Sequence, residues 1–171
     1  MPDTATTEKP VTDEDLDAIE GALEAALGVL RLSAESDPAD VQQAIDRVLS
    51  TPEARDRATE ELGEHLGYAL GAAWGDSIVR KFGWHWTRVA HGAWETVAIV
   101  DPTCRFLAVP FSYLAFAART AYERINVVPI QLYAAIGYGK LLPEAEPGDF
   151  VIISDESTLQ ETETLDDDSC S

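Results

Sequence analysis

The chain reads as an α+β domain, a small antiparallel sheet packed on helices, with N-terminal helices before it and an acidic C-terminal tail after it. Three observations predict this class. Apolar residues spaced three or four apart fill the first half of the chain and return after residue 110. Between those stretches, alternating residues over 84–100 read as a hairpin, and 105–109 as a short third strand. Just before the hairpin, Gly63, Gly67, Gly71 and Gly75 recur every fourth residue, which would give a helix one flank without side chains.

Residues 1–11 are polar, charged and poor in anything to bury, and they read as disordered. Thr12 followed by Asp13, Glu14 and Asp15 is a helix start, with acids at the positive end of the dipole. Leu16, Ile19, Leu23, Leu27 and Leu30 carry that helix to about residue 31. Ser36-Asp37-Pro38 opens a second helix, with Val41, Ile45, Val48 and Leu49 on its apolar side. Thr51-Pro52-Glu53 opens a third, expected to run from 52 to about 82 and to contain the glycines. Each glycine costs a helix interior about 1 kcal/mol relative to alanine. Two readings stay open: the glycines let another element approach closely, or some of them split the helix.

The hairpin is expected to turn on His91-Gly92, since glycine accepts a positive φ and histidine tolerates it better than most residues. That turn sets Arg88 opposite Glu95, Thr87 opposite Thr96, Trp86 opposite Val97 and Trp84 opposite Ile99. Trp84, Trp86, Val97 and Ile99 then share the core face, and His85 and Trp94 lie on the other. Asp101-Pro102-Thr103 reads as a turn and Pro110 as the start of a further helix. Residues 129–138 form a last helix, ended by Gly137 and Gly139. Phe150 to Ile153 can add a strand, which places the domain at 12–154 and the disordered tail at 155–171.

The charge falls mostly outside the core. The formal net charge is −19, of which residues 1–15 contribute −4 and residues 143–171, with ten acids and no base, contribute −10. That distribution is not the coated surface of a salt-adapted protein. It also lacks the clustered Lys and Arg that displace counterions from nucleic acid, so no nucleic-acid partner is expected. An acidic tail can instead repel nucleic acid, keep a protein soluble as a solvated segment, or attract a basic protein partner. Two cysteines make no disulfide framework, no signal peptide precedes the first helix, and the longest apolar run contains Pro110 and Ser112. A cytoplasmic protein with reduced thiols and no membrane span is the expectation.

Little in the chain points to catalysis. The three histidines, His65, His85 and His91, make no metal-ligand spacing, and neither a metal nor a cofactor is expected. No Gly-x-Ser-x-Gly or phosphate-binding loop occurs. A small hydrolase or transferase using His85 or His91 with Asp101 or Cys104 is the enzymatic alternative, and it requires those side chains to converge. Dimerisation through the glycine stripe is a structural alternative. The better functional candidates are mostly aromatic: Trp94, Tyr113, Tyr133 and Tyr138, together with His91 in the turn, are assigned to partner binding.

The glycine-rich helix, the Gly83-Trp84-His85-Trp86 run, the hairpin, Val109-Pro110 and a following helix with Arg119 together resemble a bacterial family of small domains of unknown function. The resemblance covers about residues 60–125. It implies an α+β fold and carries over no catalytic residue. By analogy with small acidic bacterial proteins it suggests an immunity or adaptor protein. The expectation is therefore a non-enzymatic protein-binding module of the bacterial cytoplasm.

Overall fold

In the computed structural model, which describes residues 5–139 and 142–154, six helices pack on a five-stranded sheet. Helices α1 (Asp13–Leu30), α2 (Pro38–Ser50) and α3 (Pro52–Leu62) begin where the sequence marks them. Thr12 caps α1 through a reciprocal box: its Oγ1 accepts from Asp15 N, and its own N–H donates to Asp15 Oδ2. Asp37 accepts from Ala39 N ahead of Pro38. Arg55 on α3 donates to Leu49 O at the end of α2 and to Thr120 O beyond α5 (Pro110–Arg119). One guanidinium thus serves carbonyls left unpaired at two helix ends.

The long third helix expected over 52–82 is two helices. A 3₁₀ turn at Gly63–His65 separates α3 from α4 (Leu66–Phe82), and Gly63 sits at φ +56°. Both readings of the stripe are realised, at different glycines. Gly63 breaks the helix, while Gly67, Gly71 and Gly75 face neighbours too close for a side chain. A Cβ on Gly67 would stand 2.5 Å from Ala115 Cα, one on Gly71 2.8 Å from Pro110 O, and one on Gly75 2.6 Å from the Trp86 ring. Helix α5 and the hairpin fill the stripe from within the chain, which removes it as a dimer interface.

The sheet runs in the order β1-β2-β3-β4-β5, with β1 Thr7–Lys9, β2 His85–His91, β3 Trp94–Val100, β4 Phe106–Ala108 and β5 Val151–Ile152. Its first four strands are antiparallel, and β5 joins parallel to β4. Two expectations need correcting here. Residues 7–9, read as disordered, form an edge strand on β2, because pairing with β2 satisfies a backbone that local composition leaves uncommitted. The hairpin turns on Gly92-Ala93, with His91 opposite Trp94. Gly92 takes the first turn position at φ +63°, so His91 is spared a positive φ. Every pair therefore shifts by two: Trp86 faces Ile99, and Arg88 faces Val97. A shift of two preserves the faces, and the core side of the hairpin is the one the alternation predicts. The tail over 155–171 lies outside the described residues.

The main core lies between this face and the helices. Trp74 is fully buried, donates Nε1–H to Pro129 O at 2.9 Å and meets Tyr113 edge-on at 5.4 Å. Trp84 joins the same core, and Trp86 stacks on Phe111. On the opposite sheet face Val89, Ala98, Val100, Leu107 and Val109 form a smaller cluster flanked by Cys104, Phe150 and Ile152. Arg88 ties the N-terminus of α1 to the hairpin. Its Nε and an Nη reach the two oxygens of Asp15 at 2.6 and 2.7 Å, and its other Nη reaches Glu95 at 3.3 Å.

Candidate functional site

A cleft of about 950 Å³ opens where four segments meet: the end of α4, the turn from β3 to β4, the end of α6 (Pro129–Tyr138) and residues 142–149. The volume is in the range that accepts a small ligand or a few side chains of a peptide. Phe82, Trp84, Phe106 and Ile136 give it apolar walls. Asp101, Arg105, Glu144, Glu146 and Asp149 supply the charged lining, four carboxylates against one guanidinium.

The β3–β4 turn is built around Asp101. One of its oxygens accepts from Phe106 N at 2.8 Å, and the other from Thr103 N at 3.2 Å and Thr103 Oγ1 at 2.7 Å. Thr103 Oγ1 in turn accepts from Arg105 Nε at 3.0 Å. Asp101 is buried with both oxygens engaged, which makes it a staple of the turn. The far wall is fixed by backbone bonds: Gly148 N donates to Thr103 O and Cys104 O, and Phe150 N to Cys104 O. Cys104 and Phe150, joined by that last bond, both take left-handed backbone at φ +59° and +50°. Bulky residues hold that conformation only where surrounding structure enforces it.

The residues of the enzymatic alternative come together only in part. His85 Nε2 lies 2.6 Å from Glu8 Oε1, and Cys104 Sγ donates to Glu8 Oε2 at 3.3 Å. Glu8 thus stands between them. Burial and the Glu8 carboxylate push the Cys104 thiol up to about 11, opposite to what a nucleophile needs. Glu8 itself is held below the usual carboxylate range: burial acts to raise it, and its bonds to His85 and Cys104 outweigh that. His91 sits at the hairpin end with Nδ1 3.1 Å from Thr6 Oγ1, in a separate contact. Glu8 was invisible as a site residue in the sequence, because its partners lie 77 and 96 positions away.

The residues assigned to partner binding divide among three elements. Trp94 and His91 pair across the hairpin end, and Trp94 is 42% exposed. Tyr138 is 79% exposed and directly precedes Gly139, which lines the cleft. Tyr133 is half-buried and packs on Phe82 behind the cleft wall. Tyr113 is a correction. It is buried, its hydroxyl donates to Val127 O, and burial pushes its pKa well above the tyrosine range. Its place on α5 facing Trp74 makes it core, so it offers nothing to a partner. The wall residues Phe82, Trp84 and Phe106 were missed as a group. Only the fold brings them to one opening.

Among the described residues no group of His, Cys, Asp and Glu is arranged to hold a metal ion, and no helix is long and apolar enough to cross a membrane.

No family model matches the chain, and no curated protein matches it. A crystal structure from Bacteroides thetaiotaomicron VPI-5482 is similar, at a TM-score of 0.49 and 14% identity, over 77% of this chain and 47% of that one. The chain thus spans less than half the length of that structure.

Proposed function

We propose that the chain is a non-enzymatic binding module that takes a segment of a basic protein partner in the cleft between α6 and the β3–β4 turn. The observation that carries this reading is the lining itself: aromatic and aliphatic walls under a rim where the exposed carboxylates of Glu144, Glu146 and Asp149 outnumber Arg105. Such walls bury apolar surface, and a surplus of carboxylates selects a cationic segment and speeds its approach. Residues 155–171 bring seven further acids to the chain's net negative charge. The bacterial cytoplasm as setting, and an immunity or adaptor role, belong to the same proposal. They rest on the sequence resemblance over 60–125 and on the acidity.

The test is a titration of the full chain with a synthetic peptide combining Arg or Lys with one aromatic residue, followed by backbone amide NMR. Shifts are expected at Arg105 and Gly139, weakening as salt is raised past physiological strength, where the Debye length falls under about 8 Å. The double variant Glu144→Lys, Glu146→Lys should lose the response. Equal shifts with an acidic peptide of the same length, or none with the basic one, reject the reading.

A further inference from the structure

Strand β1 is held to the sheet almost entirely by polar contacts. Its three residues are all exposed, so its docking buries little apolar surface. Alternate side chains before and within it reach the two histidines of β2: Thr6 to His91 at 3.1 Å and Glu8 to His85 at 2.6 Å. Glu8 also accepts from Cys104, Lys9 Nζ lies 3.7 Å from Glu95, and Lys9 O accepts from Thr87 Oγ1 at 3.0 Å. The start of α1 is anchored independently of the strand. The Thr12–Asp15 box and the Asp15–Arg88 pair hold it in place, leaving Pro10 and Val11 as a short connector. The strand can therefore leave β2 without unwinding the helix behind it.

We propose that β1 is an exchangeable strand, and that the β2 edge it covers accepts the same segment from a second copy of this chain. The fit is chemical. The edge presents His91, His85 and Thr87, with Glu95 beyond, at the spacing of a hydroxyl, a carboxylate, a carbonyl and an ammonium group along residues 6–9. A second copy carries that series unchanged. Every bond broken within the chain is remade between chains, as in strand exchange through a short hinge. The closed form holds at low concentration because a short connector keeps the strand's own effective concentration near the millimolar range.

Charge reversal separates the two arrangements. In Glu8→Lys the strand loses the carboxylate that engages both His85 and Cys104, and in His85→Glu the edge sets a second carboxylate against that of Glu8, so each variant alone opposes docking within a chain and between like chains. Mixed, the two restore both contacts, but only across chains: the introduced lysine on the introduced glutamate, and the native Glu8 on the native His85. Light scattering after size exclusion, on the full chains at sub-millimolar concentration, should give the 18.6 kDa monomer for each variant. The equimolar mixture should give twice that mass. A mixture that stays monomeric overturns the proposal, and so does a variant that dimerises as well alone as mixed. The pair Lys9→Glu and Glu95→Lys applies the same logic one residue along, should either first variant fail to fold by circular dichroism.

Discussion

The carboxylate of Glu8 accepts a proton donor on each oxygen, His85 on one and Cys104 on the other. Its charge therefore acts on the thiol directly. Burial is the larger cause of the raised Cys104 pKa and the Glu8 bond and charge the next, so only part of the shift is removable without changing the fold. Replacing Glu8 with Gln keeps the shape and removes the charge. The thiol should then move back toward the ordinary cysteine value, and each unit of that fall raises the thiolate fraction about tenfold at a fixed pH below it. Alkylation by iodoacetamide at pH 8, read by mass on the peptide containing Cys104 so that Cys170 is scored separately, should be faster in Glu8→Gln than in the parent. Thr6→Val supplies the control, since it loosens the same strand at His91 and leaves the Glu8 charge in place. If Glu8→Gln is no faster, the carboxylate has no direct hold on the thiol; if Thr6→Val is equally fast, the thiol responds to strand opening instead.

Helix α4 shows how one residue type does opposite things in neighbouring elements. In α1, Gly21 and Gly28 have open space where a Cβ would go. Gly21→Ala should therefore stabilise the protein by up to about 1 kcal/mol through helix propensity and a less flexible unfolded chain. In α4 the same change at Gly67 places a methyl group 2.5 Å from the Ala115 backbone. Helix α5 must then move, and overpacking of this kind costs about 1–3 kcal/mol, which exceeds the propensity gain. Urea midpoints of the two variants should shift in opposite directions, and a stabilised Gly67→Ala would mean that α4 and α5 are not in close contact. The spacing of the glycines was legible in the sequence, and so was their use for close approach. Which glycine would break the helix was not, because Gly63 and Gly67 differ only in what lies across from them. Helix starts were legible because their signals are local: a capping side chain, a proline, an acid. The hairpin was legible as alternation, and its turn was misplaced by one residue because a single glycine fits either turn position until the strands choose. Strand β1 and the cleft left no such mark. A three-residue edge strand exposed along its length has no alternation to read, and the cleft walls come from segments spread between Phe82 and Asp149.

Across the whole molecule, acidity and stability pull against each other. A net charge of −19 repels itself, so mild acid relieves repulsion among the carboxylates that have no partner. Asp15 behaves in the opposite sense. Its bonds to Arg88, then those to Thr12, hold its carboxyl far below the usual carboxylate range. Its pKa is lower in the folded state than in the unfolded state, so its contribution is complete above the unfolded value of about 4 and is lost progressively as pH falls toward the folded value. Parent protein alone would show the sum of both effects, and a flat profile could hide either. The difference between parent and Asp15→Asn isolates one. Measured by urea unfolding, that difference should be constant from pH 7 to 5, begin to shrink below about 4 and keep shrinking at lower pH. Arg88→Leu should reproduce the shrinkage, since it removes the partner that depresses the carboxyl, and should add little when combined with Asp15→Asn. A gap between parent and Asp15→Asn that is unchanged at pH 3 would mean that the start of α1 is not held to the hairpin by this pair. The anchor that lets β1 move independently of α1 would then be missing as well.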